Sequence, residues 1–114
     1  MDLDIKENGL FCTLRPKGRL VWGEPVNQFE RAYINALSSG HIFIIIDLEA
    51  VVFLDSSGIG SLVNALRTAA KSGGSVQLVK PTNMVSKTLK MVGVLNLFGV
   101  FQNEDDALAA CTGS

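Results

Sequence analysis

Histidine is nearly missing from this chain of 114 residues: His41 is the only one. Zinc sites of the usual kinds draw on several histidines or cysteines at set spacings. Only two cysteines are present, Cys12 and Cys111, at opposite ends and without that spacing. They read as two free, buried small hydrophobes of a cytosolic chain, neither metal ligands nor a disulfide. A single histidine also leaves little for catalysis. His41 opens the most apolar run of the chain and is expected as a strand-end or surface residue. A Ser-His-Asp triad would need it to reach across from the far end of a neighbouring strand. No Gly-x-Ser-x-Gly elbow and no Gly-Lys-Ser/Thr phosphate loop occur. Gly58-Ile59-Gly60 lacks the third glycine of a dinucleotide fingerprint and lies within a helix start, so nucleotide binding has no support. The residues point to no enzyme, no metal and no cofactor.

Strong charge is missing too. Charged residues make up 18% of the chain and the net charge is −1, with both signs scattered. Without a basic stripe, nucleic acid and anionic membranes are poor partners. The longest apolar run, His41 to Ile46, falls far short of the roughly 20 residues that span a bilayer, which argues against direct membrane insertion. Met1-Asp2-Leu3-Asp4-Ile5 has no basic stretch before an apolar one, so no leader is expected and the reading is cytoplasmic. What the chain does have is an apolar fraction of 47%, enough for the core of one domain over residues 1–114. The last few residues are expected to be disordered.

The order of elements follows from periodicity. Leu3 to Lys6 alternates, Asn8-Gly9 is a hairpin signal, and Leu10 to Leu14 resumes a strand ending near Pro16-Lys17-Gly18. Arg19 to Gly23 is a connector, with Leu20 and Trp22 expected to cover core. Pro25 suits a first helical turn, and Val26, Phe29, Tyr33 and Leu37 recur at helical spacing up to Ser38-Ser39-Gly40. The run 41–46, bounded by Gly40 and Asp47, reads as a strand buried on both faces. A second helix follows Asp55, with Ile59, Leu62, Val63, Leu66, Ala69 and Ala70 inward and Ser61, Asn64, Arg67, Thr68 and Lys71 on the other face. Gly73-Gly74 ends it, and Ser75 to Val79 is a strand. Pro81-Thr82-Asn83 opens a third helix, with Met84, Val85, Thr88, Leu89, Met91 and Val92 as inward candidates. Leu97 to Phe101 is a last short strand. Asn103, with Asp106 three positions on, caps a final helix whose Ala107, Leu108 and Cys111 face inward. The fold class is α/β: a mixed sheet of four to five strands with about four helices, in the order β-β-α-β-α-β-α-β-α.

One stretch stands out. Val51-Val52-Phe53-Leu54 is a strand or extended segment that delivers the chain, through Asp55-Ser56-Ser57-Gly58-Ile59-Gly60, to a helix N-terminus. The first helical turn has unpaired backbone N–H groups and an electropositive end. Ser56 or Ser57 there is either a plain cap, with Gly58 and Gly60 relieving crowding, or a place to attach a phosphate. Asp47, Glu49 and Asp55 read as caps and solvated strand exits in preference to a magnesium site.

The same residues resemble the signature of the STAS domain family, specifically bacterial anti-sigma factor antagonists. Phe53-Leu54-Asp55-Ser56-Ser57-Gly58-Ile59-Gly60 after Ile45-Ile46-Asp47-Leu48 carries the likeness. Gly18-Arg19-Leu20, Gly73-Gly74 and Thr88 to Gly93 fall in the expected order around it. The resemblance implies a partner switch. The unphosphorylated protein binds an anti-sigma factor that is also a serine kinase, and so releases the sigma factor. Phosphorylation at Ser56 (Ser57 the second choice) ends that binding, and a serine phosphatase resets it. Ser57 is implied as a neighbouring cap. Asp55, Ser57, Gly58, Ile59, Gly60, Ser61 and Asn64 are implied as the partner-binding face, on a monomer or weak dimer. Where the family often has an acid after Gly-x-Leu, this chain has Val21. Glu24, three positions on, is the candidate to support the acceptor site if the connector folds back. That departure keeps an alternative open: a STAS binding module that is never phosphorylated and acts as a scaffold or a transporter-complex subunit.

Overall fold

Three consecutive isoleucines set the layering. Ile44, Ile45 and Ile46 expose no surface in the computed structural model, which describes residues 1–111. The expected disorder of the last few residues concerns positions outside that range. Side chains of a strand alternate between faces, so burying all three demands cover on both sides. Each such burial stabilises the fold by roughly 2 kcal/mol.

The chain runs β1 (Asp2–Asn8), β2 (Phe11–Leu20), α1 (Glu24–Ser38), β3 (Phe43–Asp47), β4 (Val51–Leu54), α2 (Ser56–Lys71) and β5 (Ser75–Val79). It finishes with α3 (Asn83–Met91), a 3-10 turn (Leu95–Leu97), β6 (Gly99–Phe101) and α4 (Glu104–Cys111). Ile44 and Ile46 join the main core with Phe29 of α1, Leu62 and Ala65 of α2 and Leu89 of α3. Ile45 joins Val79 and Ala107 in a smaller core. Three helices therefore cover one face of the sheet and α4 the other.

The six strands lie in the order β1-β2-β3-β5-β6, with β4 paired to β2 off that path. The β1–β2 hairpin is antiparallel and every other pairing is parallel. The mixed sheet and four helices are those expected, with two differences. β2 does not stop near Pro16 but continues to Leu20. Its start, Phe11–Leu14, pairs with β3 and its end, Gly18–Leu20, with β4, the latter ladder shifting register between Gly18 and Arg19. Pro16, which has no N–H to donate, lies in the gap between those two ladders. The stretch Val51–Leu54 is then a true strand, giving one more than the four to five expected.

Helix α3 departs from its expected inward face. Met84, Met91 and Val92 are 49%, 77% and 54% exposed, and only Val85 and Leu89 are buried within the helix. α3 packs against β4 through a narrow stripe, which two residues four apart suffice to fill. Ala70 of α2 is likewise exposed. At α4 the reading from sequence holds. Asp106 N–H donates to Asn103 Oδ1 at 2.9 Å, and Asn103 Nδ2 donates back to Asp106 Oδ2 at 3.2 Å. Next to this cap, Glu104 accepts from the Thr13 hydroxyl at 2.8 Å and pairs with Lys6 at 3.1 Å, tying α4 to the hairpin.

Cys12 is fully buried and Cys111 half-buried, and both are free. Burial first, and the charge of Glu7 second, push the Cys12 thiol up to about 11. His41 sits just before β3. Its Nδ1 meets the Gly9 carbonyl oxygen, and its Nε2 lies 2.8 Å from Glu7 Oε2. Among the described residues no helix is long and apolar enough to cross a membrane.

Candidate functional site

Strand β4 ends at Leu54 and the chain turns into α2 through Asp55, whose backbone is extended at φ −98° and ψ −174°. Asp55 Oδ1 accepts the Gly58 N–H at 2.8 Å, so the aspartate is the N-cap. Ser56 and Ser57 were the cap candidates, Ser57 also by family resemblance. They lie inside the first turn instead, one and two steps past the capping position. Ser56 is exposed and Ser57 half-buried. Neither hydroxyl is hydrogen-bonded to a described residue.

The second oxygen of the same carboxylate reaches another element. Asp55 Oδ2 accepts the Trp22 N–H at 2.9 Å, which fastens the β2–α1 connector to the start of α2. The amides of Trp22 first and Gly58 second hold the Asp55 carboxyl below the usual carboxylate range. Below this pair of bonds the backbones are in contact. A Cβ on Gly58 would stand 2.1 Å from the Leu20 carbonyl oxygen, so no other residue fits without moving main chain. Gly60, by contrast, has open space where its Cβ would be. Of the two glycines only Gly58 relieves crowding.

The connector also corrects the reading of Trp22. Leu20 is fully buried as expected, but Trp22 is 79% exposed. Its amide is fixed by Asp55, and Gly23 at φ 104° turns the chain into α1, where Asn27 N–H donates to Gly23 O at 3.0 Å. The indole is left outside. It stands at a groove of ≈ 550 Å³ between the N-terminal halves of α1 and α2, lined also by Asn27, Glu30, Ser57, Gly60 and Asn64. Ser61 contributes from beneath. It is 1% exposed and its hydroxyl donates to Gly58 O at 2.7 Å, so it does not lie on the outer face where its polarity suggested. A serine that satisfies itself within the helix is buried at little cost.

Of the residues expected to act together, the groove gathers Ser57, Gly60, Ser61 and Asn64; Asp55 does not line it but holds the amide of Trp22, which does. Gly58 lies under them, and Ile59 is half-buried against the main core. Glu24 is not among the groove's residues: 72% exposed, it pairs with Arg31 at 2.7 Å. The acid that lines the groove is Glu30, which the sequence reading missed. Gly23, Asn27 and Glu30 share one helical face by spacing, but nothing in the sequence says that this face meets α2. Asp47 has its own task. It is 3% exposed, accepts from Arg15 Nε at 3.1 Å and from the Glu49 N–H at 3.0 Å, and stands apart from Asp55.

Comparison with known proteins decides the family. The sequence pattern of the STAS domain matches residues 2–107. The chain belongs to the STAS domain family. Among curated protein sequences none matches it significantly. Solved STAS structures share its fold at low identity. A candidate anti-sigma factor antagonist from Thermotoga maritima superposes with a TM-score of 0.87 at 23% identity, covering 96% of this chain and 94% of that one. The anti-sigma factor antagonist SpoIIAA in its unphosphorylated form gives 0.75 at 20%, over 99% and 100% of the two chains. The phosphorylated form of SpoIIAA, a Bacillus cell fate determinant, gives 0.76 at 22%, over 96% and 98%. This STAS domain therefore carries its Asp55-Ser56-Ser57-Gly58 turn on a fold shared with proteins solved both with and without phosphate.

Proposed function

We propose that this STAS domain is an anti-sigma factor antagonist switched by phosphorylation of Ser56. Unmodified, it binds an anti-sigma factor that is also a serine kinase and so frees the sigma factor. Phosphate on Ser56 ends that binding, and a serine phosphatase restores it. The domain works as a binder and not as an enzyme, in the cytoplasm, as a monomer or weak dimer, and without a cofactor.

The observation that carries this reading is the division of labour at the start of α2. Asp55 does the capping, so the Ser56 hydroxyl is exposed and has no structural bond to lose. A phosphate there adds a charge of about −1.5 to −2 and three acceptor oxygens. The helix N-terminus favours that charge, and the neighbouring Asp55 opposes it. The fold survives while the surface potential changes where a partner docks. Ser57, Gly60 and Asn64 present that docking surface, Asp55 borders it, and Gly58, Ile59 and Ser61 fix its shape from below.

The test is to incubate the protein with its cognate kinase and labelled ATP, and to map the modified residue by mass. Ser56 is the expected site. An unmodified protein, under conditions where a control antagonist is labelled, refutes the switch. Ser56→Asp is expected to weaken partner binding far more than folding, and equal binding by both forms would oppose a charge switch. A second reading, a STAS module that is never phosphorylated and serves as a scaffold or transporter-complex subunit, is favoured by Val21 and by the pairing of Glu24 with Arg31. Intact mass of the native protein before and after phosphatase separates the two.

A further inference from the structure

Asp55 does two jobs with one carboxylate, and they belong to different elements. Oδ1 holds the Gly58 N–H of α2 at 2.8 Å, and Oδ2 holds the Trp22 N–H of the connector at 2.9 Å. A carboxylate bridging two donors has no freedom to turn: rotating toward one donor abandons the other. The surroundings give no slack either. α2 cannot slide toward the connector, because Gly58 already touches the Leu20 carbonyl at the end of β2. The connector is short. It leaves β2 at Leu20 and enters α1 at Glu24, with the Val26 N–H donating to Val21 O at 3.2 Å and Gly23 in the left-handed region. The exposed indole of Trp22 therefore owes its place beside Ser57, Gly60 and Asn64 to a bond made by the residue immediately before Ser56.

We propose that Asp55 is a positioning residue that couples the charge on Ser56 to the placement of Trp22. A dianion on Ser56 repels the adjacent carboxylate, and its oxygens compete for the same N–H groups at the start of α2. Gly58 N–H, aligned with the helix dipole, is the donor the new anion takes. The displaced carboxylate then releases Trp22, and the connector loosens while the sheet and helices stay as they are. In this chain the phosphate acts on a partner by withdrawing a preset aromatic anchor as well as by its charge. An exposed tryptophan at a groove, its backbone held in place by Asp55, is the kind of group on which recognition energy concentrates. The part of this inference that concerns partner binding rests on the switch proposed above; the coupling itself does not.

Trp22 is the only tryptophan in the chain, so its signals are unambiguous. The experiment places phosphoserine genetically at position 56 and reads backbone ¹⁵N relaxation, so no cognate kinase is needed. In the unmodified protein the Trp22 amide is expected to be rigid, with an order parameter near 0.85, and with phosphoserine 56 it is expected to fall below about 0.6. The Ile45 amide in β3, unchanged, shows that the fold is intact. Asp55→Ser separates the tether from the cap: serine still caps Gly58, but its single oxygen cannot also hold Trp22. This variant is expected to loosen Trp22 by itself, and phosphoserine 56 then adds no further loosening. A Trp22 amide that stays rigid with phosphoserine 56, or in Asp55→Ser, overturns the proposal. So does a full effect of phosphoserine in the Asp55→Ser background. Failure of a kinase to modify Ser56 would sink the proposed function and leave this measurement standing.

Discussion

Two glycines of α2, two positions apart, are expected to respond to alanine in opposite directions. At Gly58 the new methyl would lie 2.1 Å from the Leu20 carbonyl oxygen, 3.1 Å from the Leu20 carbonyl carbon and 3.3 Å from Leu54 Cδ2. The first two contacts are main chain at the end of β2, where Leu20 is paired with Leu54 of β4 and cannot yield cheaply. Overpacking of this kind costs about 3 kcal/mol or more, and the better helix propensity of alanine returns only about 1 kcal/mol. Gly58→Ala is therefore expected to lose at least about 2 kcal/mol, roughly 8 °C in Tm for a domain of this size. Gly60→Ala meets open space, so only the propensity gain remains: about 0.5–1 kcal/mol and a Tm higher by roughly 2–4 °C. Urea titration and thermal melting followed by far-UV circular dichroism measure both. If both variants are stabilised, or both destabilised to a similar degree, the close approach of α2 to β2 is not as tight as reasoned. Gly60→Ala has a second use, because the added methyl stands in the groove: a variant more stable yet weaker in partner binding would mark that position as docking surface.

Three further outcomes follow from buried or capping groups. Stability should fall at alkaline pH. The Cys12 thiol, ordinarily at 9.0, is raised to about 11, and Tyr33, ordinarily at 10.0, is raised to about 12 by burial first and Glu30 second. The unfolded chain loses each proton earlier than the folded one, so the stabilisation is complete below pH 9 and is lost as the pH rises toward 11 and 12. The Cys12 part amounts to roughly 2 kcal/mol. Urea midpoints against pH measure it, and in Cys12→Ala the decline should begin about one pH unit later. Alkylation followed by mass spectrometry should modify half-buried Cys111 in the native protein and Cys12 only in denaturant. Removing the cap in Asn103→Ala should cost about 1 kcal/mol and speed amide exchange in α4, with the Ile45 and Val79 amides following if the helix lifts from the sheet.

The parts of this fold that were legible in the sequence are those whose cause is local. Three isoleucines between Gly40 and Asp47 announce a strand covered on both faces, and Asn103 with Asp106 announces a helix start, because the partners in each case lie within a few residues. The turn from Asp55 to Gly60 was readable for the same reason. What escaped depends on distant chain. Val51–Leu54 is too short to show a period, and only its pairing with the end of β2 makes it a strand. Trp22 looked like core because it is large and apolar, and its exposure follows from a bond to Asp55, 33 positions on. Ser61 looked like surface because it is polar, yet its hydroxyl is satisfied one turn back. Met84 and Met91 fit a helical stripe, but which stripe faces inward is decided by β4. Within the candidate site, the serines and glycines could be named in advance. Glu30 and the groove could not, since no sequence rule says that the N-terminal halves of α1 and α2 meet.

The long reach of β2 has a consequence for when the site exists. Its first residues pair with β3 and its last with β4, and the ledge on which α2 begins is the Leu20 carbonyl at its very end. A peptide carrying Asp55-Ser56-Ser57-Gly58 has the serine hydroxyls but neither the ledge, nor the tethered tryptophan, nor the groove. These appear only when the chain has closed a loop of some thirty residues and the sheet has formed around β2. Under the proposed switch, a partner that docks on this groove would therefore meet it only on a folded chain, and nascent or unfolded copies would not present it.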